Sequence, residues 1–446
     1  MERSNLLFFA VVFVILQVIG IEGQFSSTAD ATSSAHTSGY GYGHSPMLPG
    51  RHPFSQVDTY SKKDKLKGRR IVCLFNNMNY RKSRLRPSMI PAELCTHINY
   101  EFAILDPKTY ELMSSDAELD IQMGFYDEAI SLKKQNSLLK VMLSLGGWRD
   151  STKKYSELVK SPEKIDSFIS ETVPYLKKHG FDGLDVAWEY PNCWQGAIGI
   201  SLEDKPNFVI FLQVIKFYLF LKTRTAFDLE GLILSISVTA IKREVEAGYD
   251  VPAIALVVHY INVMTYDMHG PWEHKTGHHT QFDKKTGDED PYLNSKAAME
   301  LWANYGVPKI KLNLGIGTYG KTFTLVNPSN HGYNTPAKGS GKPGALSKQG
   351  GTLCYREICQ YLNIGNWTEG EDENYGYYAY SADQWACYDP PMMVVKKVKW
   401  VAENGFGGVL IKDLSCDDFE GKCLSMDFPL VKMTRMEFEQ TMRRIH

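Results

Sequence analysis

The chain has 446 residues, of which 43% are hydrophobic and 22% are charged, enough to bury one large core or two smaller ones. The formal net charge of -2 argues against a nucleic-acid-binding protein, because such proteins carry a surplus of basic residues. The eight cysteines are candidate disulfide partners if the chain is exported.

An apolar run at residues 6–21 follows Arg3 and precedes Gly23. This pattern is typical of a secretory signal peptide at residues 1–23, and an uncleaved membrane anchor is the alternative. We expect a secreted, extracellular protein without a membrane partner. In that compartment Asn366, in the sequon Asn-Trp-Thr, is a candidate for N-glycosylation.

Residues 24–66 are rich in Ser, Gly and His and show no hydrophobic period, which favours a disordered leader. We interpret the tract at residues 40–44 as solvated linker rather than as a binding tract. The basic run at residues 62–70 is interpreted as a solvated approach to the first strand. The folded domain is therefore expected at residues 67–446.

From residue 70 onward, strand-like runs alternate with helix-like segments, a pattern that predicts a parallel α/β fold. Ser161 and Pro162 combine a cap residue with a proline at the first helical position, which predicts a helix start. Eight strands with seven crossovers favour an eight-stranded (β/α)8 TIM barrel over an open sheet. The strand-like runs are residues 71–76, 97–105, 141–148, 183–190, 232–240, 261–266, 312–319 and 408–411.

The interval between the seventh and eighth runs, roughly ninety residues, is too long for a single crossover. It contains Gly- and Pro-rich turns and short apolar runs of its own. We place a small inserted α+β subdomain at about residues 321–385. A final helix is predicted at residues 433–446.

The run at residues 183–190 carries two carboxylates, Asp185 and Glu189, in otherwise apolar sequence, and Asp182 precedes it. Alternate residues of a strand share a face, so Asp185, Ala187 and Glu189 are expected on one side. Because buried carboxylates are costly, this strand predicts a functional site.

Functional residues of such a barrel lie where the strands end at the carboxyl side. Four predicted strands end there in polar or aromatic residues, which makes these residues candidates for lining a cleft. They are Trp148, Glu189, Tyr266 with Asp267, and Tyr319.

The segment FDGLDVAWEYP at residues 181–191 resembles the DGxDxDxE signature of glycoside hydrolase family 18, the chitinases and chitinase-like lectins. Other segments are similar to motifs of this family and follow in the same order over about 375 residues. They are residues 95–97 and 100–103 (second strand), 144–148 (SxGGW), 264–270 (MxYDxHG), 319–321 (YGR), 384–389 (QWVGYD) and 407–419 (eighth strand).

The resemblance implies a retaining, substrate-assisted reaction that uses no protein nucleophile. Glu189 would protonate the glycosidic oxygen while the N-acetyl oxygen of the substrate attacks the anomeric carbon. Asp185, Tyr266 and Asp267 are the further catalytic residues that the resemblance implies. The implied substrate-binding residues are Trp148, Phe102, Tyr190, Tyr319 and Trp385. Neither a cofactor nor a metal is implied.

Ala187 replaces the middle aspartate of the signature, which in the family orients the acetamide and balances the charge of the oxazolinium ion. Loss of one such preorganised group typically lowers the rate on the order of 10²–10³-fold. Glu189 also loses a like-charged neighbour, so we expect a lowered pKa and an ionised, inactive acid.

Further departures fall in the same cleft. Lys412 stands where the family usually has the tryptophan that forms the floor under the reacting sugar. Leu74 and Met78 stand at or near positions that are usually aromatic, and Lys321 replaces an arginine and its bidentate fork. Each change is compatible with neutral drift, but all of them remove sugar contacts or catalytic groups.

Several residues have structural alternatives. Asp182 and Asp185 are compatible with hydrogen-bonded supports of the barrel, and Trp148 with a core residue. The histidines at positions 269, 274, 278 and 279 favour a surface loop over a metal site, because no carboxylate completes a ligand set.

The resemblance suggests disulfides Cys73–Cys95 and Cys359–Cys423. We add Cys387–Cys416 as a third pair, because both residues lie near adjacent strand ends. Cys193 and Cys354 remain unassigned.

Three functions remain open. The first is a secreted protein that binds chitin or chito-oligosaccharides with little or no hydrolysis. The second is a weak chitinase that uses Glu189 as its acid, and the third is a protein-interaction scaffold with an abandoned sugar cleft. The expected partners are the sugar and a possible protein receptor, and the expected state is a monomer.

Overall fold

The computed structural model describes residues 66–194, 196–223, 231–284, 288–373 and 375–445. The predicted signal peptide and nearly all of the predicted leader lie outside the described residues. Among the helices in these ranges, none combines the length and apolar character needed to cross a membrane.

The strands are numbered in chain order. They are β1 (Arg70–Asn76), β2 (His97–Leu105), β3 (Leu112–Ser114), β4 (Lys140–Gly146), β5 (Gly183–Ala187), β6 (Cys193–Trp194), β7 (Ala197–Ile198), β8 (Ile233–Thr239), β9 (Tyr260–Met264), β10 (Leu312–Gly317), β11 (Tyr319–Leu325), β12 (Ala337–Ser340), β13 (Thr352–Cys354), β14 (Thr368–Asp372), β15 (Gly376–Ser381), β16 (Gln384–Tyr388) and β17 (Gly408–Lys412).

The helices lie between and after these strands. They are Tyr80–Ser83, Phe125–Ser131, Thr152–Val159, Pro162–His179, Asp204–Thr223, Lys242–Gly248, Val251–Val257, Ser295–Asn304, Tyr355–Asn363, Pro391–Glu403 and Pro429–Ile445. The final helix therefore begins four residues earlier than the sequence predicts.

Eight parallel strands close into a barrel in the order β1, β2, β4, β5, β8, β9, β10 and β17, and β17 pairs with β1 again. Each of the eight predicted runs contains or overlaps one of these strands, so the predicted (β/α)8 barrel is confirmed. All five residues of β5 are buried, as expected for a parallel strand that is covered on both faces.

The helix Pro162–His179 shows how the sequence sets an element boundary. The Ser161 hydroxyl accepts a hydrogen bond from the Lys164 amide at 3.3 Å, and Pro162 occupies the first turn without losing a hydrogen bond. Gly180 ends the helix at φ 79°, a left-handed conformation that glycine adopts without steric cost.

The predicted insertion is present between β10 and the helix Pro391–Glu403. It consists of an antiparallel sheet in the order β12, β11, β16, β15 and β14, with β13 paired to β11 and the helix Tyr355–Asn363. Phe323 and Trp385 are fully buried in its core.

The disulfides Cys73–Cys95 and Cys359–Cys423 are present as expected, but the third bridge joins Cys354 to Cys416. The expected pair Cys387–Cys416 is therefore wrong. Pairing of β13 with β11 places Cys354 opposite Tyr319, where the Arg356 amide bonds to the Cys416 carbonyl at 3.4 Å. Cys387 is instead a free buried thiol that accepts a hydrogen bond from the His279 amide at 3.4 Å.

This connectivity is open to a direct test by peptide mapping. After denaturation without reduction, alkylation should label Cys193 and Cys387, and digestion should release a linked peptide pair that contains Cys354 and Cys416. Mass spectrometry of the non-reduced digest measures both. A linked pair that contains Cys387 would contradict the assignment.

Candidate functional site

The side chains that the sequence singles out gather at the carboxyl end of the barrel, here called the barrel mouth. Several lie just beyond a strand rather than inside it, because β4 ends at Gly146, β5 at Ala187 and β9 at Met264. Trp148, Glu189 and Asp267 thus occupy the loops that begin at the mouth.

Asp185 is buried at the centre of the barrel with both carboxylate oxygens occupied. One oxygen accepts from Ser235 at 2.7 Å and Asn262 at 3.3 Å, and the other from Ser237 at 2.9 Å and Ser144 at 3.2 Å. Burial raises the pKa of Asp185, and the hydroxyl donors partly offset this effect. These contacts favour the supporting role that the sequence left open.

Asp182 lies at the opposite end of β5. Its carboxylate accepts from the Val141 amide at 2.7 Å and pairs with Lys133 at 3.1 Å. Asp182 therefore holds the start of the strand and takes no part in the barrel mouth.

Ala187 is the last residue of β5 and is 3% exposed. Its carbonyl accepts a hydrogen bond from the Gly147 amide at 2.9 Å, which fixes the loop after β4 against β5. The last side chain of β5, two residues before Glu189, is therefore a methyl group, which neither donates, accepts nor carries charge.

Glu189 follows two residues later and is partly buried. Burial raises its pKa to about 7; the Lys412 ammonium opposes this rise, and the carboxylates of Glu101 and Asp267 add to it. The expectation of a lowered pKa is therefore wrong, since burial and two other like charges outweigh the missing aspartate.

Lys412 and Glu101 form an ion pair on the floor of the mouth. The Lys412 ammonium contacts both Glu101 oxygens, at 2.7 and 3.0 Å, and lies 5.4 Å from the centre of the Phe102 ring. The Glu101 side chain is only 5% exposed. The floor of the mouth, where the family usually has a tryptophan, is therefore formed here by a charged ion pair.

Glu101 was not among the predicted site residues. Its signals in the sequence were its place in the family-like segment at residues 100–103 and a carboxylate in the apolar run INYEFAIL. The partner stands 311 residues away, so the pairing follows from closure of the barrel and not from any local pattern.

Asp267 lies at the centre of a polar cluster on the rim. Lys321 pairs with it at 3.0 Å and the Tyr319 hydroxyl donates to it at 2.8 Å. Burial opposes ionisation, but Lys321 and His279 outweigh it and lower the pKa of Asp267. Lys321, which replaces the arginine of the family motif, thus still forms an ion pair with Asp267 but lacks the bidentate fork of arginine.

Tyr266 is buried beside Leu74 and Leu410. Its hydroxyl has no hydrogen-bond partner within the part of the chain that the structure describes. A buried hydroxyl without a partner is costly, and the buried position of this oxygen keeps it from solvent.

Two tryptophans, Trp148 and the partly exposed Trp194, form a stacked aromatic surface on the rim. Trp148 is 50% exposed and stacks on Trp194, with ring centres 5.4 Å apart and planes inclined by 22°. Trp148 is therefore not a core residue. Trp194 and the 60% exposed Trp272 were missed in the sequence, although each lies within three residues of a family-like motif.

The remaining predicted ligand contacts divide into two groups. Phe102, Tyr190 and Tyr319 are partly exposed at the mouth. Trp385 is fully buried in the insertion and donates to the His331 carbonyl at 2.9 Å. The prediction that Trp385 binds substrate is wrong, because its ring presents no face to solvent.

Two of the four histidines that were expected in a surface loop are buried instead. His278 and His279 are buried, and they bond to the carbonyls of Tyr388 and Tyr319 at 3.3 and 2.8 Å. In the described ranges no group of three potential metal ligands is found.

A barrel with an acid at the end of its fourth strand and exposed aromatics around the mouth is typical of carbohydrate-active proteins. The sequence profile of Glycosyl hydrolases family 18 matches residues 70–417. The chain belongs to this family.

Relatives include both chitinases and proteins of other names. The chain is 37% identical to probable chitinase 10 of Drosophila melanogaster over 86% of its own length, and 33% identical to chitotriosidase-1 of Mus musculus over 82%. It is 32% identical to oviduct-specific glycoprotein of Mesocricetus auratus over 83%. It spans 17%, 78% and 55% of these relatives, respectively.

Solved structures give the same result. Catalytic domain 2 of the Ostrinia furnacalis Group II chitinase is 33% identical with a TM-score of 0.78, and the match covers 83% of this chain and 96% of that one. Human YKL-39, described as a pseudo-chitinase with retained chitooligosaccharide binding, is 29% identical with a TM-score of 0.75, covering 83% and 99%.

The raised pKa of Glu189 predicts how stability depends on pH. The folded protein keeps a proton that the unfolded chain, with a Glu pKa of 4.5, releases. This contribution to stability is complete below pH 4.5 and is lost as the pH rises through 7. Relative to wild type, Glu189→Gln should therefore gain about 1–3 kcal/mol in free energy of unfolding between pH 4.5 and about pH 8.

Urea denaturation at several pH values measures this gain. Glu203→Gln is the matched control, because the Glu203 side chain is 73% exposed, and it should show no such trend. Parallel stability curves for wild type and Glu189→Gln would show that the pKa of Glu189 is unperturbed.

Proposed function

We propose that this protein is a secreted chitinase-like protein that binds chitin or N-acetylglucosamine oligosaccharides with little or no hydrolysis. The observation that carries the proposal is Ala187 beside Glu189, in a mouth that keeps its aromatic surface. The pseudo-chitinase YKL-39, which is described as retaining chitooligosaccharide binding, supports it as a precedent.

The argument against efficient hydrolysis begins with charge. Substrate-assisted cleavage develops positive charge on the acetamide, and a carboxylate beside it would stabilise that charge. The methyl group of Ala187 does not. Asp185, the other carboxylate of β5, already has four donors on its two oxygens.

The floor adds a second obstacle. A pyranose ring packs on a flat apolar face, whereas Lys412 and Glu101 present an ion pair. A sugar seated there would have to desolvate or separate two charges, which costs several kcal/mol in a buried site.

Binding is supported at the rim. Trp148 and Trp194 expose a stacked pair of indoles, and such faces pack against the apolar faces of sugar rings. The carboxylate of Asp267, whose side chain is 45% exposed, adds a polar group that would fix orientation.

Glu189 itself favours a second candidate, a weak chitinase. With a pKa of about 7, a large fraction of Glu189 carries a proton near neutral pH and is able to donate it. This candidate differs from the first in rate rather than in ligand.

An extracellular location is part of the proposal. Three disulfides favour an oxidising compartment, and Asn366 is exposed in the turn before β14, where a glycan would be accommodated.

Isothermal titration with an N-acetylglucosamine pentamer tests binding. Wild type should bind, and Trp148→Ala should weaken binding by about tenfold, since an aromatic contact is worth roughly 1 kcal/mol or more. Tyr218→Ala is the control, because Tyr218 lies on the outer helix Asp204–Thr223. Absence of binding by the folded protein would contradict the proposal and favour a scaffold.

A fluorogenic chito-oligosaccharide measures hydrolysis in parallel. We expect turnover at least about 10²-fold below that of a chitinase with an intact signature. Turnover within about tenfold of such an enzyme, abolished by Glu189→Gln, would establish the second candidate instead.

A further inference from the structure

The amino-terminal end of the barrel holds an unusual pair of side chains, far from the mouth in the fold. Lys216 belongs to the helix Asp204–Thr223, and His259 directly precedes β9. The Lys216 Nζ lies 2.7 Å from the His259 Nε2. Both side chains are partly exposed, and neither has a role in the proposed function.

The backbone determines where the imidazole carries its proton. The Leu234 amide donates to the His259 Nδ1 at 2.8 Å. The Leu234 carbonyl accepts from the His259 amide at 2.9 Å and also lies 3.2 Å from Nδ1. The amide hydrogen is fixed by the backbone and its contact with Nδ1 is the shorter one, so Nδ1 accepts. An Nδ1 that accepts has no hydrogen, so the proton of the neutral ring lies on Nε2. Nε2 must then donate, and Lys216 Nζ is the atom in front of it.

An ammonium group has no lone pair to accept this hydrogen bond. A contact of 2.7 Å between two donors would be repulsive, whereas a neutral amine accepts from the Nε2 hydrogen without conflict. This geometry therefore favours the neutral form of Lys216 over the ammonium.

The surrounding charges act in the same direction. Burial and then the Lys311 ammonium lower the pKa of Lys216 to about 8, and burial with Lys216 keeps His259 neutral. Lys311 itself is held by the carbonyls of Ala255 and Val258, each at 2.8 Å. Arg70 adds a further positive charge near His259.

Carboxylates do not compensate these charges in the described ranges. Lys216 takes part in no ion pair there, and Asp166, on the packed helix Pro162–His179, interacts with Tyr218 instead. The adjoining helix Val251–Val257 carries no charged residue.

We propose that Lys216 is a nucleophilic amine that forms imines with small aldehydes, such as the open-chain form of a reducing sugar. The Nζ lone pair attacks the carbonyl carbon to give a carbinolamine, and loss of water gives the imine. No net proton or electron is consumed, and the step is reversible.

Reductive methylation of the full-length protein tests this proposal. Formaldehyde forms the imine, and a borane hydride donor traps it as a methylamine that mass spectrometry assigns to its peptide. Near pH 7 an amine of pKa 8 has about 300-fold more neutral form than one of pKa 10.5. Lys216 should therefore react at least about tenfold faster than Lys153, whose side chain is 82% exposed. Labelling of Lys216 at or below the rate of Lys153 would overturn the proposal.

His259→Leu distinguishes the two possible directions of the hydrogen bond. If Nε2 donates, its removal takes stabilisation from the neutral amine, and the pH midpoint of Lys216 labelling should rise. A midpoint that falls would mean that His259 accepts from an ammonium, which would overturn the proposal. The midpoint is compared rather than the rate, because a smaller side chain also changes access.

A measurement on the unaltered protein applies if this variant fails to fold. Nitrogen NMR of the imidazole should show a protonated Nε2 and an unprotonated Nδ1 for His259. The opposite tautomer would overturn the proposal. Loss of sugar binding at the mouth would leave these readouts unchanged, so they are independent of the proposed function.

Discussion

The ion pair between Lys412 and Glu101 determines the character of the barrel mouth. The Glu101 carboxylate is almost fully buried, so removing either partner would leave an uncompensated charge at a cost of roughly 3–5 kcal/mol. The same two groups act on Glu189 in opposite directions, since Lys412 lowers its pKa and Glu101 raises it. The floor and the protonation of the acid are therefore linked through one contact.

The barrel interior and the rim of the mouth each keep features that are typical of the family. Asp185 is fixed by three serines and an asparagine, a contact set that stabilises the barrel whether or not a reaction occurs. On the rim, the exposed Trp148 stacks on the partly exposed Trp194. The aromatic surface that we propose for sugar binding is thus retained, whereas Ala187 and Lys412 stand where the family signature and floor would supply groups that act on the reacting sugar.

The fold was predictable because buried parallel strands appear as short apolar runs, and all eight runs correspond to barrel strands. The helix start at Ser161 was predictable from local capping chemistry. Contacts between distant segments were not: Glu101 meets Lys412 only through barrel closure, and Cys354 reaches Cys416 only because β13 pairs with β11. The exposure of Trp148, the burial of Trp385 and the raised pKa of Glu189 likewise depend on packing that no local pattern encodes.

Restoring the lost groups tests the central claim most directly. Ala187→Asp alone should recover little turnover of a fluorogenic chito-oligosaccharide, because Lys412 still occupies the floor. The variant that combines Ala187→Asp, Lys412→Trp and Glu101→Ala should raise turnover by about 10²-fold or more. A folded triple variant that stays at the wild-type rate, or full recovery by Ala187→Asp alone, would contradict the account of the floor.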